Sequence, residues 1–170
     1  MDKHGVEIER KYIIMKPSVS EMALLEGYTA SEIEQIYLTS ETGVTRRIRK
    51  RVTGGIPRFY LTEKRRIDSM SAIEDEREIS ASDYCRLRAE LKEGTRPIYK
   101  TRYTFLYRSQ LFEVDVYPEW RSTAIMETEL ESRATSVDMP PFIRIVREVT
   151  GVRGYSNADM SRAFPSEEQS

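Results

Sequence analysis

The sequence predicts an α+β fold dominated by antiparallel strands. Three observations carry that reading: short segments rich in β-branched and aromatic residues, charge alternating along them with a period of two, and turn or helix signals between them. Residues 6–14, Val6-Glu7-Ile8-Glu9-Arg10-Lys11-Tyr12-Ile13-Ile14, set the pattern. Glu7, Glu9 and Lys11 share one face of such a strand, while Val6, Ile8, Tyr12 and Ile14 take the other.

The remaining elements follow in order. Pro17 stops the first strand, and Ser18 as N-cap with Glu21 three residues on predicts a short helix over 18–26, closed by Gly27. Strands are predicted at 33–39 and 44–52, the second placing Thr45, Arg47, Arg49 and Arg51 on one face and Ile48 on the other. Gly54-Gly55-Ile56-Pro57 turns the chain into a strand over 58–66, where Phe59, Leu61 and Glu63 oppose Tyr60, Thr62, Lys64 and Arg66. After a polar loop at 68–72, a strand over 73–79 carries Glu74, Glu76 and Glu78 in phase. Ser80 or Ser82 caps a helix reaching about residue 92, with Tyr84, Leu87 and Leu91 at helical spacing and Cys85 expected to be buried or half-buried on it. Gly94 and Pro97 close it. Strands resume at 98–107 with Lys100 and Arg102 in phase, at 111–117 with Glu113 and Asp115, and at 124–131 with Glu127 and Glu129. Beyond Pro140-Pro141 a helix is predicted over 142–149, ending at Gly151. A last turn at 157–162 precedes a polar tail expected to fray.

Composition narrows the possibilities. A chain of 170 residues fits a single domain over 1–170 with a real core. A net charge of -1 with 32% charged residues disfavours a nucleic-acid binder relying on a net positive field. Cys85, the only cysteine, allows no intrachain disulfide, and no run is long and apolar enough for a membrane span. The N-terminal Met1-Asp2-Lys3-His4 lacks the apolar segment of a secretory signal, so a cytoplasmic location is expected.

The in-phase charges demand water. Eight acids (Glu7, Glu9, Glu74, Glu76, Glu113, Asp115, Glu127, Glu129) and six bases (Lys11, Arg47, Arg49, Lys64, Lys100, Arg102) recur on strand faces. Burying so many ions in a dry core would exceed a domain's whole stability of about 5–15 kcal/mol. Either an open sheet turns its charged side to solvent, or a sheet closes around a hydrated lumen with helices covering its apolar outside. For one strand, alternating charge is an ordinary solvated face; for seven strands with paired charges two residues apart, that is the weaker reading. Arg and Lys suit phosphate oxygens, and carboxylates without His or Cys suit a hard cation such as Mg²⁺ or Mn²⁺. The set describes a metal-bound polyphosphate.

Glu7-Ile8-Glu9-Arg10-Lys11 resembles the E-x-E-x-K signature that opens the CYTH superfamily, the triphosphate tunnel metalloenzymes. In matching order come Arg47-Ile48-Arg49, Leu61-Thr62-Glu63-Lys64, Glu74-Asp75-Glu76, Lys100-Thr101-Arg102-Tyr103, Glu113-Val114-Asp115, Glu127-Thr128-Glu129-Leu130, Glu148-Val149-Thr150-Gly151 and Tyr155-Ser156-Asn157. The resemblance spans about residues 5–163 and is closest to bacterial inorganic triphosphatases. It implies a closed eight-stranded antiparallel β-barrel, a tunnel with a charged lumen and helices packed outside. It implies hydrolysis of a small triphosphate, inorganic triphosphate above all, to pyrophosphate and phosphate with Mg²⁺ or Mn²⁺. A class IV adenylate cyclase, a thiamine triphosphatase and a non-catalytic triphosphate- or nucleotide-binding module are the alternatives. By position, Glu7, Glu9, Glu127 and Glu129 would hold metal, with Glu7, Glu9, Lys11 and Glu129 catalytic. Lys11, Arg47, Arg49, Lys64, Lys100 and Arg102 would cradle substrate, supported by Glu74, Glu76, Glu113 and Asp115. Where some members carry an Arg before the fifth-strand Glu pair, this sequence has Ala72. The expected partner is a small triphosphate, with no nucleic acid and no membrane, and the assembly a monomer or homodimer. His4 is not assigned to catalysis, Arg65 is expected at the barrel mouth, Tyr37, Tyr99 and Tyr107 in wall packing, and Trp120 as a cap on the lumen.

Overall fold

The computed structural model describes residues 3–168, and of Lys3 and His4 the backbone alone, so the reading of the His4 side chain lies outside the described residues. Nine strands form one sheet among these residues: β1 (Lys3–Met15), β2 (Thr29–Leu38), β3 (Val44–Thr53), β4 (Ile56–Arg66), β5 (Ser71–Ile79), β6 (Ile98–Tyr107), β7 (Gln110–Val116), β8 (Thr123–Glu129) and β9 (Ile145–Glu148). All neighbours are antiparallel in the order β5-β4-β3-β2-β6-β7-β8-β1, and β1 pairs again with β5, closing the first eight into a barrel. Closure removes the sheet edges that would otherwise invite pairing with another chain.

Turn chemistry fixes the registers. Gly54 and Gly55 both take positive φ and join Thr53 directly to Ile56, the two-residue hairpin that matches strand twist. Ile56 and Pro57 thus belong to β4 rather than to the turn. Arg108 and Ser109 make the equivalent turn between Tyr107 and Gln110 with positive φ at both positions and no glycine.

The predicted helix at 142–149 is not formed, and the chain is extended there as β9. β1 pairs with β5 only through Ile8, leaving the same edge open farther on, and β9 takes it at Tyr12, Ile13 and Ile14. An open strand edge facing β-branched Ile145 and Val146 outweighs a helical pattern too short to stand alone.

Strand parity sorts the wall into two faces. Outside, Tyr12, Ile14, Phe105, Phe112, Val114, Ala124 and Met126 form one apolar cluster with Met22 of α1 (Val19–Ala23) and Ile143. Ile36, Leu38, Ile48 and Leu61 form another under Tyr84 and Leu87 of α2 (Ala81–Leu87). Burying each such side chain contributes about 1.5–3 kcal/mol. Both helices are shorter than the sequence suggests. Ser18 precedes α1, but its hydroxyl meets that of Ser20 instead of capping the helix. Ser80 caps α2 through the Asp83 N–H, and the helix passes into a single 3-10 turn at Arg88–Glu90, so Leu91 loses helical phase and is 42% exposed. Cys85, one residue beyond Tyr84 on α2, is exposed, not buried.

The inward face is charged along most of its length and apolar at one end. Ile98, Tyr117 and Ile125 share parity with Lys100, Asp115 and Glu127, and pack with Trp120, with Met160 of α3 (Asn157–Arg162) and with Phe164. Trp120 thus belongs to a plug, making edge contacts with Tyr117 and Phe164. The segment after β9 crosses this end: Gly151 lies against Ser69 with φ +67, where a Cβ would stand 2.7 Å from the serine Cβ. The polar tail is held as far as Glu168. Glu167 accepts the backbone N–H groups of Arg121, Ser122 and Thr123, and Glu168 meets Arg147 and Tyr155. No helix among the described residues is long and apolar enough to cross a membrane.

Candidate active site

The lumen encloses a cavity of about 500 Å³, within the size range of small-molecule sites. Glu7, Glu9 and Lys11 reach it from β1, Thr45, Arg47, Arg49 and Arg51 from β3, and Lys64 from β4. Glu74 and Glu76 enter from β5, Arg102 from β6, Glu113 from β7, and Glu127 and Glu129 from β8. The same alternation that covers the outside with helices aims these side chains inward.

Ion pairs connect neighbouring strands. Lys11 Nζ lies 2.8 Å from Glu127. Arg47 lies 3.6 Å from Glu74 and Arg49 4.0 Å from Glu76. Lys64 bridges Glu7 at 3.4 Å and Glu74 at 3.3 Å. Arg102 takes Asp115 with two nitrogens at 2.7 and 2.8 Å, contacts Glu113, and stands 3.7 Å from Glu127. Opposite this network, Glu9 is registered directly against Glu129 across β1 and β8, a like-charge pair that favours a cation between them.

Burial and these neighbours tune the groups. Burial opposes the charge of Lys11, but Glu127, Glu9 and Asp115 outweigh it and raise its pKa; Lys64 is raised likewise by Glu9, Glu74 and Glu7. Arg49 goes the other way: burial, then Arg47 and Arg102, push it down to about 10. Burial works against ionising Glu127, yet Lys11 and Arg102 hold its carboxyl well below the usual range. The Nε atoms of Arg47 and Arg49 are buried with no hydrogen-bond partner among the described residues, donors available to an anion.

The structure does not bring every predicted residue to the cavity. Lys100 and Asp115 lie behind its wall: Lys100 Nζ donates to Asp115 at 2.6 Å, 5.9 Å from the Tyr117 ring, with no side-chain exposure. Burial and Arg102 push Lys100 down to about 7. Ala72 faces inward opposite Glu7, too short to reach a ligand. Tyr37, read as wall packing, lines the cavity and accepts the Gln35 amide at 2.6 Å. Tyr99 lies outside on β6, half exposed, and Tyr107 packs against the outer cluster. Arg153, Arg162 and Asn157 line the cavity from beyond the last predicted strand, where no period-two signal marks a face. Of the pair beside Lys64, Arg66 lines the cavity and Arg65 does not. Among the described residues no three His, Cys, Asp or Glu form a preformed metal cluster.

No protein-family model matches the sequence, and a search of curated proteins finds no match. Among solved structures, the inorganic triphosphatase NE1496 is similar with a TM-score of 0.57 and 27% identity, over 94% of this chain and 97% of that one. PH1819 from Pyrococcus horikoshii OT3 shares the fold, with a TM-score of 0.55 and 23% identity over 75% of this chain and 80% of that one. Eight strands closed around inward-facing acids and bases fit the tunnel-barrel fold that the resemblance to the CYTH superfamily implies, and the likeness to these solved structures agrees with that fold.

Proposed function

We propose that the tunnel binds a small triphosphate and hydrolyses it with Mg²⁺ or Mn²⁺, inorganic triphosphate giving pyrophosphate and phosphate. Water adds to the terminal phosphorus as its bridging P–O bond breaks, and the bridging oxygen leaves with pyrophosphate. The observation that carries this reading is the pairing of a guanidinium wall with a carboxylate wall in one cavity closed at one end by apolar side chains. The likeness to a protein named an inorganic triphosphatase supports it.

Each wall has a task. Arg47, Arg49 and Arg102 match phosphate oxygens with planar donor forks, while Lys11 and Lys64 act as point charges kept protonated by neighbouring acids. An all-oxygen donor set fits a hard divalent cation, and Mg²⁺ ordinarily takes one or two carboxylates with phosphate oxygens and water. Glu9 and Glu129 would supply these, with Glu7 beside them and Glu127 committed to Lys11 and Arg102. Bound there, the ion supplies charge neutralisation and a more acidic water. The protein's remaining work is positioning, the main contribution any enzyme makes to phosphoryl transfer. The aromatics of the cavity, Tyr37 and Tyr155, have their hydroxyls hydrogen-bonded to Gln35 and Glu168.

Phosphate release from inorganic triphosphate, ATP and thiamine triphosphate, measured with Mg²⁺, Mn²⁺ or EDTA, tests the proposal. Metal-dependent release preferring triphosphate and lost in Glu7→Gln is expected. Cyclic AMP from ATP, or thermal stabilisation by triphosphate with no product, overturns it.

A further inference from the structure

The two neighbours of β1 hand over to one another at a single peptide. β5 covers β1 as far as Ile8, which is registered against Ser71, the first residue of β5. β8 covers β1 from Glu9 onward, and Glu9 is registered against Glu129, the last residue of β8. The peptide that joins Ile8 to Glu9 is held from both sides. Its N–H donates to the Met70 carbonyl at 3.1 Å, and its carbonyl accepts the Leu130 N–H at 2.8 Å. Glu9 and Glu129 therefore both stand where a strand pairing ends, and strand ends open more readily than strand centres.

A side-chain clasp closes this junction. Asp68 accepts the N–H groups of Met70 and Ser71 at 2.9 and 3.0 Å and the Ser71 hydroxyl at 2.8 Å, which shapes the turn that presents the Met70 carbonyl. Arg133, three residues beyond Leu130, pairs with Asp68 and donates to the Ser71 hydroxyl at 2.9 Å. Arg133 itself stands on a closed turn: the Thr135 N–H donates to the Ser132 carbonyl and the Ser132 N–H to the Thr135 hydroxyl, both at 3.2 Å. Ser71 shares the outward parity of Ile8, so the clasp crosses β1 on its outer face, behind Glu7 and Glu9. Neither Asp68 nor Arg133 lines the cavity. Both side chains are substantially exposed, at 37% and 50%, and ion pairs so exposed add little to global stability. The consequence of this one is local geometry.

We propose that Asp68 and Arg133 are positioning residues for the metal site: their clasp over the back of β1 joins the ends of β5 and β8 and so sets the separation of the Glu9 and Glu129 carboxylates. The inference rests on the reading of these two acids as metal ligands. Carboxylates held at the wrong separation fit the strict octahedral geometry of Mg²⁺ poorly, and removing the groups that orient metal ligands weakens binding without removing a ligand.

Two measurements on the wild type, Arg133→Met, Arg133→Lys and Glu129→Gln decide the matter: Mn²⁺ binding without substrate, read from the paramagnetic resonance of the free ion, and triphosphate kinetics against Mg²⁺ concentration. Arg133→Met should weaken Mn²⁺ roughly tenfold and raise the Mg²⁺ needed for half the maximal rate by a similar factor. Its KM for triphosphate at saturating Mg²⁺ should stay within about twofold of the wild type, because uniform substrate binding is untouched. Arg133→Lys, which keeps the charge, should recover part of the lost affinity. A lower melting temperature with unchanged Mn²⁺ affinity would reduce the clasp to a structural staple, and a raised KM with unchanged metal affinity would move its effect to the basic wall; either overturns the proposal. Mn²⁺ binding weakened by Glu129→Gln but not by Arg133→Met sinks the positioning role alone. A wild type that binds no Mn²⁺ sinks the metal reading of Glu9 and Glu129, and the positioning role with it.

Discussion

The two walls of the tunnel are built by the same device and differ in what they leave unresolved. On the β3 side, Arg47 and Arg49 stand two residues apart, each with a carboxylate of β5 in reach, and burial, with the neighbouring charges of Arg47 and Arg102, depresses the pKa of Arg49. On the β1–β8 side, Lys11 neutralises Glu127, but Glu9 faces Glu129 in direct register. On the proposed reading, the first wall, a set of cations already braced by acids, would exchange part of that bracing for phosphate. The second sets two carboxylates opposite one another, a charge that a divalent cation would relieve. The same alternation would thus serve an anion site or a cation site, according to which charges the register sets opposite one another.

The largest expected effect breaks the acidic wall. Glu129→Gln keeps shape and removes charge, and should lower kcat for triphosphate by roughly 10²-fold or more while binding persists, as for loss of several kcal/mol of transition-state stabilisation. Near-wild-type rates at saturating Mg²⁺ would remove Glu129 from the metal site. Breaking the basic wall should read differently. Arg49→Gln deletes a charge-assisted donor of about 1.5–3 kcal/mol, so KM should rise by roughly tenfold or more with a smaller change in kcat. An equal fall in kcat and kcat/KM would place Arg49 in transition-state stabilisation and blur the division between the walls.

Much of this division was legible in the sequence, because strand parity is local: the inward phase of Glu7, Arg47, Lys64, Glu74 and Glu127 follows from a period of two. What escaped was non-local. β9 depends on an edge of β1 that exists only once β5 has diverged from it, and no local pattern records that opening. Arg153 and Arg162 enter the cavity because their segment folds across the barrel end, with Gly151 against Ser69 as the sole local hint. Cys85 is exposed because Tyr84 and Leu87 mark the buried face of α2, and one residue past Tyr84 turns about 100° away from that face. Lys100 was the subtlest case. Its parity places it inward, but depth along the strand decides whether an inward residue meets the cavity or the plug, and parity carries no information about depth.

That depth has the smallest consequence and a distinctive one. Asp115 is held bidentately by Arg102, so Lys100 is a second buried cation on a carboxylate already engaged, and its pKa falls to about 7. Between about pH 7 and the unfolded lysine value near 10.4, the unfolded chain carries a proton at this position that the folded chain has released. The unfolded state then binds more protons, so this residue makes stability rise with pH across that window. Lys11 and Lys64, with raised pKa values, do not offset it there, because both are protonated in either state until the pH passes the unfolded value. In Lys100→Met the rise should disappear, giving a flatter profile of unfolding free energy from pH 7 to 10 than in the wild type. Parallel profiles would mean that Lys100 stays charged in its ion pair with Asp115. Triphosphate kinetics on the same variant separate support from contact: a modest rise in KM fits a residue that steadies Arg102 through Asp115, whereas a loss as large as that of Arg49→Gln would mean that Lys100 reaches the substrate.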